Sequence, residues 1–212
     1  MRARGITERG SARHAGRLPA AERREAVLDA ALRVFSSGSY AGTTTAEIAQ
    51  EAGVSEPVIY RHFKSKRDLW FACMDEAWQR FRAAHEARLA ELGEEQGVAA
   101  LGDTVERMKR SRVLLANLWV QGVAEAAEDA EIQRYVRRHM RAAHDHVAEG
   151  LRRTQACGGI PSDRDPEAEA WIMIAGSLLI SFANRLGGVL SEKDFAAIKR
   201  ERMRWLLGRD AE

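Results

Sequence analysis

Residues 54–66, VSEPVIYRHFKSK, bring a phenol, a guanidinium, an imidazole and two ammonium groups close together: Tyr60, Arg61, His62, Lys64 and Lys66. Each of these groups can hold a phosphate oxygen. They follow Ser55 and Pro57, residue types that mark a helix start. Proline is harmless there, because the first N–H groups of a helix have no partner within it. Those free N–H groups, with the partial positive charge they carry, also suit phosphate. A helix in an ordinary bundle has no need of this collection after a two-residue turn, so the stretch points to DNA. The polar groups hold position, and sequence is read at base edges.

Other chemistries find less support. There is no GxSxG, no P-loop, no GxGxxG after a strand and no HExxH, so no enzymatic activity is expected. His139, His144 and His146 fall on one helix. Positions i and i+2 face different sides, and i,i+5 or i,i+7 chelates poorly without partners. They are read as solvated surface histidines, with no metal and no cofactor expected. Two cysteines, Cys73 and Cys157, give neither a disulfide framework nor a CxxC pair. Cys73 is expected to be buried and inert, no redox role is assigned to either, and a reducing cytoplasm is the default setting.

The elements that must position the basic helix are legible on both sides of it. The chain has 212 residues, 45% apolar and 30% charged, a globular composition. Ala, Leu, Glu and Arg recur and no long β-branched run appears, so the fold is expected to be all-α. After Pro19, the residues Val27, Leu28, Ala31, Leu32, Val34 and Phe35 share one helical face, and Gly38 is a stop. Thr44 with Glu47 fits a capping box, Ile48, Ala49 and Ala52 form a buried face, and Gly53 closes the helix. Ser55 can then cap the next helix. Two short helices across a Gly-Val turn make a helix-turn-helix.

Further helical segments are expected at 68–92, 98–110, 112–127, 129–154, 166–186 and 191–207, about nine helices in total. The apolar run 171–182 is too short to span a bilayer, so it reads as a buried core helix and no membrane role is expected. Residues 1–66 carry 11 Lys/Arg against 7 Asp/Glu, and 67–212 carry 22 against 24. The basic excess lies in 1–18, an expected flexible arm bearing Arg2, Arg4, Arg9, Arg13 and Arg17. Such an arm could reach DNA or merely solubilise the chain.

The stretch TTTAEIAQEAGVSEPVIYRHFKSKRDLW resembles the N-terminal domain of TetR/AcrR-type transcriptional regulators. Nearly every position of the pattern T-T-x-x-x-I-A-x-x-A-G-V-S-x-x-x-[LI]-Y-x-H-F-x-S-K-x-x-L is matched, from Thr43 and Thr44 to Leu69. The resemblance implies a three-helix DNA-binding domain over 19–66 and a larger helical ligand-binding and dimerisation domain over 67–212. It implies phosphate-contacting or helix-anchoring roles for Thr44, Tyr60, His62 and Lys66, and a core role for Phe63. Thr45, Ala46, Glu56, Pro57, Val58 and Arg61 are left to face bases or backbone, with Ser55 and Lys64 beside them. Glu56 could accept from a cytosine amino group or favour the positive helix end. Arg61 could contact guanine or phosphate.

For the larger domain the resemblance implies a homodimer enclosing a small-molecule pocket. Trp70, Phe71, Met74, Trp78 and Phe81 stud one helix, and Met108, Leu115, Trp119, Trp171 and Met173 lie on others. Large aromatic and Met side chains suit an adaptable pocket and equally suit a plain core. The last two helices are the implied dimer interface, through Ala175, Gly176, Leu179, Phe195, Ile198, Trp205 and Leu206. Two reading heads would then meet a pseudo-palindromic operator in double-stranded DNA. The expected function is a ligand-responsive repressor, released by a small apolar or aromatic effector. The alternatives are a constitutive or architectural DNA-binding dimer and a small helical enzyme. An empty apolar cavity favours sensing, and a filled core disfavours it.

Overall fold

The computed structural model describes residues 19–110 and 115–208. The basic arm, and the first residues of the helix expected from 112, lie outside the described residues. Among the described residues the chain forms α1 (Ala20–Ser37), α2 (Thr45–Ala52), α3 (Glu56–His62), α4 (Lys66–Leu92), α5 (Gly97–Arg110), α6 (Leu115–Glu125), α7 (Ala130–Ala156), α8 (Pro166–Leu186) and α9 (Glu192–Leu207). A 3-10 turn, Glu94–Gln96, precedes α5. No described helix is long and apolar enough to cross a membrane.

Two compact units divide at Cys73 and Met74. In the first, α1, α2 and α3 pack on one another. The face expected of α1 is buried at Val27, Leu28, Ala31, Leu32 and Phe35, with Ile48 and Ala49 of α2 and Ile59 of α3. The unit ends beyond the expected boundary at 66 because α4 contributes Leu69, Trp70 and Cys73, all fully buried. Trp70 meets the Tyr40 ring edge-on at 5.3 Å. It is therefore a core residue of the first unit, and the pocket role expected for it in the larger domain does not fit its place. Phe71 lies against Trp70 at 5.7 Å.

In the second unit α5, α6 and α8 pack on α7. Its core joins Val98 and Leu101 of α5 to Val147, Ala148 and Leu151 of α7, with Ile160, Ala170 and Leu206. Caps begin its helices: Asp129 accepts from Glu131 and Ile132 N–H, Asp165 accepts from Glu167 N–H, and Ser191 and Asp194 form a capping box. Leu206, expected at a dimer interface, is instead fully buried in its own chain and belongs to this core. Exposed apolar residues remain on α8 and its C-terminal end at Ile172, Leu179, Phe182 and Leu186, and on α9 at Ile198 and Trp205. Cys73 is buried, and Cys157 is exposed.

Candidate functional site

The turn between α2 and α3 is built by backbone bonds. Gly53 takes φ 65°, the left-handed conformation glycine reaches without strain. Gly53 N–H donates to Gln50 O at 3.2 Å and Val54 N–H to Ala49 O at 3.0 Å, which closes α2 as a Schellman motif. The start of α2 is the expected capping box: Glu47 N–H donates to Thr44 Oγ1 at 3.2 Å, and Thr44 N–H to Glu47 Oε2 at 2.8 Å. The Thr44 N–H, and the Thr44 hydroxyl donating to the same Oε2 at 3.1 Å, hold the Glu47 carboxyl below its ordinary value. Ser55 precedes α3 but its side chain makes no capping bond; Val58 N–H is satisfied by Ser55 O at 2.9 Å.

Ile59 of α3 and Phe63 at its C-terminal cap are buried, and the Arg24 guanidinium covers the Phe63 ring at 5.1 Å. That packing turns Ser55, Pro57, Tyr60, Arg61 and Lys64 to solvent, with Thr44 and Ala46 exposed on α2. Glu56, Val58 and His62 are half-buried. A hydroxyl and a guanidinium from α3, and an ammonium group just past its C-terminal cap, are therefore exposed together.

Two expected contact residues are used differently. Thr45 is only 7% exposed, because its hydroxyl points back at α3, bonding the Glu56 carboxylate and lying 3.1 Å from the Tyr60 hydroxyl. Lys66 Nζ donates to Tyr40 O at 3.0 Å and Thr43 O at 3.1 Å, and sits 4.6 Å from the Tyr40 ring centroid. Of the two roles open to Lys66, its geometry is that of an anchor. Glu56 lies in the first turn of α3, at its positive end, and is held there by Thr45.

The second unit gathers an aromatic and imidazole cluster. Trp78 stacks on Phe81 at 5.6 Å, and both rings meet His146 edge-on at 5.2 and 6.5 Å. His85 Nδ1 and His146 Nε2 are 3.0 Å apart. Trp119 Nε1–H donates to His139 Nδ1 at 3.1 Å. The sequence-based view of His139, His144 and His146 as solvated is corrected: His139 and His144 are buried and His146 is half-buried, since all three face packed neighbours across α7. His85 was not singled out by its sequence context, although Met74, Trp78, Phe81, His85 and Leu89 follow a helical stripe. No group of three or more His, Cys, Asp or Glu among the described residues could hold a metal.

The remaining pocket candidates scatter. Met74 is fully buried. Phe81 and Met173 pack on the core. Trp171 is exposed and stacks on His144 at 4.3 Å with Arg141 over it. Met108 and Leu115 are half-buried. One small cavity is lined by His85, Leu89, Gly97, Leu101, Val147, Gly150 and Leu151, none of them an expected pocket residue. It has room for about one water molecule.

Burial depresses the basicity of His85 and His139, and brings His146 to about 4, with His85 and Arg82 adding to the effect. The fold thus favours neutral imidazoles. Their contribution to stability is complete above the unfolded value of about 6.5 and is lost as pH falls toward 4. Denaturant midpoints should drop between pH 7 and pH 4.5, and His146→Asn should flatten that slope. An unchanged slope in the variant would show that other groups carry it.

The sequence pattern described as bacterial regulatory proteins, tetR family, matches residues 27–73. A transcriptional activator, FasR of Mycolicibacterium smegmatis, is 46% identical over 65 residues, 31% of this chain and 30% of that protein. The chain thus matches less than a third of that activator's length. The regulator AcrR of Shigella flexneri is 28% identical over 167 residues, covering 73% of this chain and 74% of its own. Among solved structures, the SmeT–triclosan complex has a TM-score of 0.67 at 21% identity, over 90% of this chain and 93% of that one, which establishes likeness of fold. Helix-turn-helix geometry and matched pattern agree: residues 27–73 form a domain of the tetR family of bacterial regulatory proteins.

Proposed function

We propose that the protein is a cytoplasmic, homodimeric repressor that binds a pseudo-palindromic operator and is released by a small apolar or aromatic effector. The DNA-binding half rests above all on one observation: α3 is packed through Ile59 and Phe63 and turns Tyr60, Arg61 and Lys64 outward. Ser55, Pro57, Val58, Ala46 and Thr44 border that surface, and His62 and Lys64 are its phosphate contacts. The exposed apolar positions of α8 and α9, with Ala175 and Gly176 allowing close approach and Phe195 beside them, support an isologous interface between two copies.

The effector half has slimmer support, the triclosan-bound relative and the aromatic cluster of Trp78, Phe81 and Trp119. The cavity beside His85 holds about one water, so an effector entering there would have to open the second unit as it binds. Its leverage is then limited to its differential affinity for the two states. A coupling of about 1–3 kcal/mol would weaken operator binding roughly 5- to 150-fold. The same small cavity favours a second reading, a dimer that binds DNA constitutively. A panel of apolar and aromatic compounds added to the operator complex at fixed salt separates the two: release by one compound class supports sensing, and release by none supports the constitutive dimer.

Arg61 is the exposed planar donor on α3 and is assigned to a guanine edge. Arg61→Ala should cost about 1–3 kcal/mol of operator affinity and relax preference at one base pair per half-site. Titration of duplexes from around the protein's own gene, with single-pair substitutions, checks this. Equal loss on every duplex with a shallower salt dependence would make Arg61 a phosphate contact instead.

A further inference from the structure

We infer that Tyr60 reads a base amino group as a hydrogen-bond acceptor, and that Thr45 and Glu56 fix it in that role. This rests on the DNA-binding reading above. Three groups here share two hydroxyl protons, one from Thr45 and one from Tyr60. Thr45 Oγ1 lies between the Glu56 carboxylate, to which it donates, and the Tyr60 hydroxyl at 3.1 Å. Thr45 has a single hydroxyl proton, and a carboxylate can only accept. The proton therefore goes to Glu56. Thr45 is left with lone pairs alone on the side of Tyr60, so the phenol must donate its own proton inward to Thr45.

The consequence is a polarity at the surface. Tyr60 is 48% exposed, yet its only proton is committed to the interior of the unit, and what it presents outward is a lone pair. A phosphate oxygen is also an acceptor and offers Tyr60 nothing to accept. The donors that DNA offers in the major groove are the N4 amino group of cytosine and the N6 amino group of adenine. Glu56 and Tyr60 are four residues apart and so share a helical face, and the carboxylate adds negative charge where phosphate would have to approach. Thr45 acts through Tyr60 without touching DNA, as a positioning residue.

The test uses the full chain. Binding sites are first selected from random duplexes by the unaltered protein. Affinities are then measured for the wild type, Tyr60→Phe and Thr45→Val on the selected site and on unrelated duplex, over a range of salt. Each adenine or cytosine of the selected site is also replaced in turn by an analogue lacking the exocyclic amino group. Circular-dichroism melts confirm that both variants fold.

We expect one amino deletion to weaken wild-type binding on the order of tenfold. Tyr60→Phe should lose a similar factor on the intact site, be indifferent to that deletion, and keep its affinity and salt slope on unrelated duplex. Thr45→Val frees the phenol proton and should shrink the discrimination at the same base. A Tyr60→Phe loss equal on all duplexes with a shallower salt slope would overturn the inference in favour of a phosphate contact. So would wild-type indifference to every amino deletion. Failure of the wild type to enrich or bind any duplex would instead overturn the DNA-binding reading itself, and this assignment with it.

Discussion

Gly159→Ala should destabilise the second unit by about 3 kcal/mol, the upper end of what an overpacked site costs. A Cβ built at Gly159 would lie 1.9 Å from Glu95 O and 2.7 Å from Thr154 Cγ2. The first obstacle is backbone, so no side-chain rotation relieves it. The neighbouring chain is also fixed: Gly159 N–H donates to Thr154 O at 2.9 Å, and Ile160 is anchored in the core. Either the 3-10 turn must move away from α7 or Ile160 must withdraw, and both uncover apolar surface. Gly102→Ala is the internal control. Gly102 lies within α5 with nothing near the added carbon, so the substitution should stabilise by about 0.5–1 kcal/mol. Urea denaturation followed by far-ultraviolet circular dichroism reads both. Equal midpoints for the two variants would show that the turn yields easily.

Lys66→Ala should destabilise the first unit by roughly 2–3 kcal/mol while leaving the salt dependence of DNA binding unchanged. Its ammonium makes two charge-assisted hydrogen bonds to the carbonyls of Tyr40 and Thr43 and rests on the Tyr40 ring. Bonds to a charged group contribute about 1.5–3 kcal/mol, and both carbonyls would lose this donor. The damage should spread to the loop between α1 and α2 and loosen Thr44, the cap of α2. Hydrogen exchange at residues 40–48 would show it. A variant with full stability whose log K falls less steeply with log salt, by about one unit of slope, would return Lys66 to the phosphate contacts.

Lys66 also shows what the sequence could and could not convey. The order of helices, the capping box at Thr44 and Glu47, and the stop at Gly53 were legible because their signals are local: a cap and its partner lie within one turn. The direction of a long side chain is not local. Lys66 was legible as a basic residue at the end of a basic helix, but Tyr40 and Thr43 lie more than 20 positions away. Thr45 looked like a surface contact beside Thr44, yet the partners that bury it are Glu56 and Tyr60 on the next helix.

The histidines of α7 carry the same lesson in the larger unit. Spacing along one helix described their relation to one another and said nothing of α4, which brings His85 against His146 from 61 positions away. Leu206 fell on an apolar stripe with Trp205, and only packing distinguishes a residue facing its own core from one left open to solvent. Pocket residues were the least legible of all, since aromatic and Met side chains have the same signature in a cavity and in a core.

Because the first unit closes on Trp70 and Cys73, its whole core is encoded before the second unit begins. On a ribosome, α1 to α3 can form early but stay open on the side that Leu69 and Trp70 will cover. They complete their packing as soon as the first turns of α4 emerge. The contacts involved are close in sequence, a topology that folds fast, and domains made first tend to fold first. The first unit is thus finished while the larger part of the polypeptide, from Met74 on, is still being synthesised.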